Sequence, residues 1–175
     1  MKRFVRDNSG ISLIELVIVI TIMTVLIGAI GLGVGLVSTK PATQCAKKLQ
    51  MAIQKTRTDT MGKRDGKLIV KLESDGSVSM TEILNAGLSS ERIDGPVTVG
   101  KKGVSVKAGG NALTETGFTI EFTRSEGKLR ACSTHYSSLT EGTKYDALPI
   151  VITKGSKSYE INIDELTGRV TLQML

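Results

Sequence analysis

A long stretch without a single charged side chain, from Leu16 to Thr39, constrains this chain more than any other feature. As a helix rising about 1.5 Å per residue, it could cross the ~30 Å hydrocarbon core of a bilayer. A secretory signal peptide has a shorter apolar region of about 7–15 residues and a cleavage site between small residues. The sequence therefore predicts a transmembrane helix over residues 11–39.

The residues in front of this stretch set its orientation. They include three basic side chains, Lys2, Arg3 and Arg6. Basic flanks stay on the cytoplasmic side of a membrane. We therefore expect a single-pass protein with a basic leader at residues 1–10 and with everything from Lys40 onward outside the cell.

Glu15 places a carboxylate at the start of the apolar stretch. A carboxylate in lipid is costly and usually marks a function with a nearby partner. If the chain were cut after Gly10, Ile11 would carry a new amine four residues before Glu15. The start of a helix also favours negative charge. Such an amine, on the same chain or a neighbour, could pair with Glu15 and fix the axial register of stacked helices.

Four glycines interrupt the apolar stretch, and they allow two interpretations. Gly31 and Gly35 form G-x-x-x-G, a spacing that lets membrane helices approach closely. Together with Gly28 and Gly33 they also weaken the helix, since each costs up to about 1 kcal/mol relative to alanine. The cluster therefore predicts either close helix packing or a segment that lengthens and unwinds outside lipid.

An amphipathic helix is predicted over residues 40–62, continuing the first helix onto a soluble domain. Pro41 suits a first helical turn, and Gly62 suits a C-terminal stop. Lysines lie mostly off the apolar face. The apolar face itself recurs at three- and four-residue intervals and consists of Ala42, Cys45, Ala46, Leu49, Ala52, Ile53 and Thr56.

Residues 63–175 change to a period of two, which predicts β-strands. Leu68, Val70 and Leu72 alternate with other residues, and Asp75-Gly76 is a hairpin turn signal before a short strand at 77–80. The stretch 80–94 is ambiguous, with a helical turn expected at 81–86. The expected fold class is α+β: a long N-terminal helix packed on an antiparallel β-sheet domain. Further strands are predicted at 97–99, 104–107, 118–123, 128–132, 149–153, 158–163 and 170–174.

Residues with reactive side chains are few, and they do not predict an enzyme, a metal site or a cofactor. His135 lies among hydroxyl residues in a predicted loop, and Asp164-Glu165 precede T-G-R as turn residues. No nucleophile motif accompanies them. Cys45 and Cys132 lack metal-ligand spacing, and they could form one bridge outside the cell or be small buried residues, the interpretation we favour.

The first residues closely resemble the class III leader and N-terminal helix of type IV pilins and pseudopilins: K-R-x-x-R-x-x-S-G, then I-S-L-I-E-L-V-I-V-I. Ile11 replaces the family's usual Phe, and Ser12 replaces its usual Thr. The resemblance implies that a prepilin peptidase cuts between Gly10 and Ile11 and methylates Ile11. It also implies that Glu15 pairs with the amine of an adjacent subunit, and that an inner-membrane assembly platform with its ATPase extracts the subunit from the bilayer.

The soluble half resembles the type II secretion pseudopilin H and FimT-like minor pilins. The residues that carry this resemblance are Ala42, Ala46, Ala52 and Arg57 in the helix and T-G-R-V at Thr167–Val170. The disulfide-closed loop of major pilins is not visible. The resemblance therefore favours a minor subunit or a pseudopilin, although the machine could be a pilus, a competence pseudopilus or a secretion pseudopilus.

Two other functions stay open at this point. The first is a membrane-anchored extracellular domain that never polymerises, which leaves Glu15 unexplained. The second is DNA binding through a basic face, although interspersed acids and scarce aromatic residues favour an ordinary solvated surface. That face would consist of Lys101, Lys102, Lys107, Lys154, Lys157 and Arg169.

Overall fold

The computed structural model describes residues 12–38, 40–62, 65–86 and 88–175. Within the first helix, side chains are described from Ser12 to Val25. The chain divides into two compact units, the first ending at Val37 and the second running from Ser38 to Leu175. The predicted leader, Ile11 and the predicted helix junction at residue 39 lie outside the described residues, so a continuous helix from 11 to 62 stays a prediction.

The first unit contains helix α1, Leu13–Ser38. Its first turn closes through a hydrogen bond from the Leu16 amide to the Ser12 carbonyl oxygen, 3.1 Å long. In the part of the chain that the structure describes, no helix combines the length and the apolar character needed to cross a membrane.

Helix α2, Lys40–Met61, begins the second unit and confirms the predicted apolar face. Pro41 is its second residue, where the missing amide hydrogen costs nothing. Its buried residues are the seven predicted from spacing, with Thr60 in addition. The helix ends before Gly62, whose amide donates to the Thr58 carbonyl oxygen at 3.1 Å.

Among the residues that the structure describes, ten strands follow and form two antiparallel sheets of five, so the α+β class is confirmed. The first sheet has the order β3-β2-β1-β6-β7, and the second has the order β10-β9-β8-β4-β5. The strands are β1 Gly66–Leu72, β2 Val78–Leu84, β3 Arg92–Gly100, β4 Ser105–Ala108, β5 Asn111–Ala112, β6 Phe118–Phe122, β7 Leu129–Ser133, β8 Ile150–Lys154, β9 Lys157–Ile163 and β10 Val170–Met174.

The stretch 80–94 corrects the sequence prediction. Residues 81–84 belong to β2 instead of a helical turn, and β3 begins at Arg92, before the predicted 97. The reason is that β2 lies inside its sheet, where β1 and β3 satisfy its backbone on both sides. Tertiary pairing of this kind overrides local preference.

The core of the second unit lies where α2 packs against both sheets. The helix contacts β1, β3 and β6 of the first sheet and β8, β9 and β10 of the second. Alanines at 42, 46 and 52 keep its buried face thin, so both sheets approach closely. The largest fully buried apolar side chains are Phe118, Leu49, Ile53, Leu68, Ile120, Ile150, Ile152 and Ile161.

Candidate functional site

Helix α1 exposes apolar side chains around its whole circumference over residues 13–25. The exposed fraction of its large apolar side chains ranges from 47% at Val19 to 81% at Leu13. Five of them, at 16–20, are consecutive in sequence, so they cannot share one face of a helix. A helix that is apolar all round is normally buried in a core or in lipid. In the described structure, the large apolar side chains of α1 over residues 13–25 are exposed.

Glu15 is the charged residue in this apolar surface. It lies in the first turn of α1, where the helix dipole favours a negative charge. Thr21 and Thr24 bond to carbonyl oxygens of their own helix at 2.7 and 2.8 Å, so their hydroxyls need no partner. Glu15 forms no ion pair with any described residue. Its predicted partner, the Ile11 amine, lies outside the described residues together with Gly10, Lys2, Arg3 and Arg6, so this pairing stays a prediction.

Arg57, singled out by resemblance, joins the two sheets through α2. Its Nε donates to the Gly127 carbonyl oxygen at 3.0 Å, in the turn between β6 and β7. Its Nη2 donates to the Thr167 carbonyl oxygen at 2.9 Å, in the turn between β9 and β10. Gly168 has φ +64°, and a Cβ there would collide with the Gly127 carbonyl oxygen. We call the pair of hydrogen bonds from Arg57 to these two turns the Arg57 bridge, and the contact between the turns requires glycine at 168.

A second polar contact joins α2 to the first sheet, and sequence reasoning missed it. The buried carboxylate of Glu82 accepts a 2.7 Å hydrogen bond from the Thr56 hydroxyl and forms an ion pair with Lys55. The hydrogen bond that the Lys55 ammonium donates to Glu82 is the largest cause of the raised Lys55 pKa, and Asp59 at 3.3 Å adds to it. The sequence contained one indication of this contact. Successive side chains of β2 alternate between the two faces of the sheet, which places Glu82 on the same face as Met80.

His135 lies in a loop, as predicted, with its side chain 63% exposed. Its Nδ1 is 2.7 Å from an Asp146 oxygen, which also accepts the Thr134 hydroxyl at 2.6 Å. Burial raises the pKa of Asp146, but the hydrogen bonds from Thr134, His135 and Ser133 together lower it. Among the described residues, no group of three or more His, Cys, Asp or Glu side chains is placed to hold a metal ion. The contacts of Thr134 and His135 with Asp146 hold the two ends of the loop at 134–146 together.

Asp164 is a turn residue, as predicted. It accepts the Thr167 amide at 2.7 Å and the Thr167 hydroxyl at 2.6 Å. These two hydrogen bonds hold the pKa of the Asp164 carboxyl below its usual range. The β9–β10 turn that carries Thr167 and Gly168 is therefore fixed from within as well as by the Arg57 bridge.

The two cysteines are free and buried, so the predicted alternative of one bridge is not formed. Burial raises the pKa of Cys45 to about 11 and also raises that of Cys132. Because the thiolate is the reactive form, burial and the raised pKa make both thiols unreactive.

The structure brings four of the six basic residues of the predicted DNA face together, and it places the other two elsewhere. Lys101 and Lys102 follow β3, and Lys154 pairs with Lys157 across the β8–β9 hairpin. Lys107 is exposed in the middle of the second sheet, on β4. Arg169 lies at the other end of β9, next to Asp164, so it does not join the lysines. Binding of DNA stays a prediction.

Comparison with known families gives one match. Residues 5–31 match the prokaryotic N-terminal methylation motif, the class III signal of type IV pilins. The matched residues include Gly10, Ile11 and Glu15, and they indicate a precursor of the pilin or pseudopilin type. Neither a curated protein nor a solved structure matches the chain significantly.

Proposed function

We propose that this chain is a structural, minor subunit of a type IV pilus-like filament or of a secretion or competence pseudopilus. The observation that carries this proposal is the methylation motif over residues 5–31, set at the start of a helix whose apolar side chains have no cover in the described chain. In this function α1 supplies the assembly surface, and the filament displays the second unit, Ser38–Leu175, which we call the β unit. Catalysis by the chain plays no part.

The life of such a subunit has two stages. The precursor is stored in the bacterial cytoplasmic membrane through residues 11–39, with Lys2, Arg3 and Arg6 inside and the β unit outside. A prepilin peptidase removes residues 1–10 and methylates Ile11. An assembly platform with its ATPase then moves the helix from lipid into the filament, where the helices of other subunits replace the lipid tails.

Glu15 gives the second stage its register. In lipid its carboxylate is costly, and in the filament the Ile11 amine of a neighbouring subunit neutralises it. Removing one partner of a buried ion pair is costly because it leaves the other charge uncompensated. The ion pair between Glu15 and the Ile11 amine therefore stabilises one axial offset between neighbouring subunits, because every other offset leaves both charges unpaired.

The test is incorporation of Glu15→Gln in cells that carry the assembly machine. The variant is expected in the membrane fraction at the level of the unmodified chain. Its recovery in sheared filaments should fall at least about tenfold, because breaking a buried ion pair costs about 3–5 kcal/mol. Thr21→Val is the matched control, since the Thr21 hydroxyl bonds within its own helix.

Two results would contradict the proposal. Normal incorporation of Glu15→Gln would remove the pairing argument. Mass spectrometry of the mature chain should find a methylated Ile11 at its start; an intact Met1, or a cut at another residue, would favour an anchored domain that never polymerises.

A further inference from the structure

We propose that one end of the β unit is a lysine surface that lies against the phosphates of anionic lipid headgroups while the subunit is stored in the membrane. We call it the lysine end; it consists of Lys40, Lys101, Lys102, Lys154 and Lys157. The inference rests on the proposed function, because it needs the chain to have a membrane-stored stage.

Contacts with the first turns of α2 define this end. The Thr43 hydroxyl lies 2.8 Å from the Tyr159 hydroxyl, so the start of β9 lies beside the first turn of the helix. A Cβ on Gly100 would lie 3.0 Å from Cys45 Sγ, so the end of β3 lies there too. The turns that follow β3 and precede β9 are therefore at the end where the chain enters the unit, next to Lys40.

The lysines of the two turns are brought together. Lys154 and Lys157 are the last paired residues of the β8–β9 hairpin. A Cβ on Gly103 would collide with Lys154 Nζ, so this ammonium lies against the turn that carries Lys101 and Lys102. Four of the five lysines are exposed, and Lys154 is half-buried.

The charges of the lysine end are uncompensated. Within the described residues, none of the five lysines has a carboxylate within ion-pair distance. The nearby Asp75 is held mainly by Ser77, and Lys102 contributes less to the lowering of its pKa. At the opposite end of the unit the cations are paired, as Lys128 is with Glu126 at 3.2 Å and Arg124 with Asp65 at 3.8 Å.

Position in the chain favours lipid over DNA as the partner. Lys40 follows directly after the apolar stretch in the sequence. If that stretch lies in the membrane, as proposed, the lysine end is the end of the unit at which the chain leaves the membrane. Attraction to anionic lipid acts within a Debye length of about 8 Å and strengthens binding about fivefold for each lysine. DNA binding would also benefit from exposed aromatic residues, and the tyrosine at this end, Tyr159, is buried.

The test uses the full chain in vesicles of phosphatidylcholine, with or without phosphatidylglycerol. Acetylation of individual lysines is followed by mass spectrometry. Lys101, Lys102, Lys154 and Lys157 should react about fivefold more slowly when phosphatidylglycerol is present, and high salt should remove the difference. Lys128, at the other end, should react equally in both.

Two variants of equal charge sharpen the test. One replaces Lys101, Lys102, Lys154 and Lys157 by Gln. The control replaces four lysines outside the lysine end by Gln: Lys67, Lys107, Lys128 and Lys144. After solubilisation in detergent, the control should retain as much phosphatidylglycerol as the unmodified chain does. The first variant should retain at least fivefold less. Equal retention by both variants would overturn the inference.

Other outcomes separate the lipid inference from the proposed function. A chain that fails to float with either kind of vesicle contradicts membrane storage itself. A chain that floats with both, while its lysines react equally, overturns the lipid contact alone. Stronger protection by inorganic phosphate or by duplex DNA, at matched ionic strength, would also overturn it and indicate a different anion.

Discussion

The two helices have similar lengths, but they differ in how far their apolar side chains are buried. Helix α1 has 26 residues and helix α2 has 22. The buried residues of α2 form one face that two sheets cover, while its lysines, Met51 and Met61 are exposed. The described apolar residues of α1 point in every direction, and nothing in the described chain covers them. The first helix is therefore exposed on all sides over residues 13–25, whereas the second has a buried face.

The difference shows where each helix gets its stability. Tertiary packing stabilises most helices in proteins more than helix propensity does. Packing for α2 comes from the β unit, through a face of small residues and two polar contacts. In the proposed function, packing for α1 comes from lipid during storage and from other subunits in the filament.

The largest expected effect compares one leucine from each helix. Leu49→Ala removes a fully buried side chain of α2 and should lower the free energy of unfolding of the β unit by about 2–5 kcal/mol. Leu16→Ala, in exposed α1, should change it by less than about 0.5 kcal/mol. Urea unfolding of the full chain in detergent measures both. Equal losses would show that α1 is also part of the core.

A smaller effect is expected from the Arg57 bridge. Arg57→Gln should cost about 1–3 kcal/mol of unfolding free energy, since it removes charged donors from the Gly127 and Thr167 carbonyl oxygens. Arg124→Gln is the control, because its ion pair with Asp65 is exposed and worth at most about 1 kcal/mol. If the two variants lost the same stability, the bridge would be no more than a surface contact.

The smallest expected effect is at alkaline pH. Glu82 raises the pKa of Lys55 in the folded chain, so this ion pair contributes fully below the ordinary lysine pKa of about 10.5. The contribution is lost as pH rises through the raised value. With Lys55 half exposed, it should be below about 1 kcal/mol. Lys55→Met should reduce the fall of the urea unfolding midpoint at alkaline pH, and Lys47→Met, at an exposed position of the same helix, should leave that fall unchanged.

Periodicity made the local structure predictable. Spacing alone identified the buried face of α2, and alternation with turn signals located most strands. The division into two sheets was not predictable, because strand order depends on contacts between distant residues. The strand at 81–84 was hard to predict because it contains Glu82. A charged residue in an inner strand is stabilised here by Lys55 and Thr56 of α2, which are distant in sequence. The acceptors of Arg57 were equally hidden, because they are backbone oxygens that any residue could supply.

The Arg57 bridge has a mechanical consequence. In the proposed function, tension on the subunit would reach the second unit through α2, which begins at Lys40. Near the far end of α2, one guanidinium holds a turn from each sheet. Separating α2 from one sheet would therefore also strain the hydrogen bond of Arg57 to the other sheet. The two sheets would resist tension along α2 together.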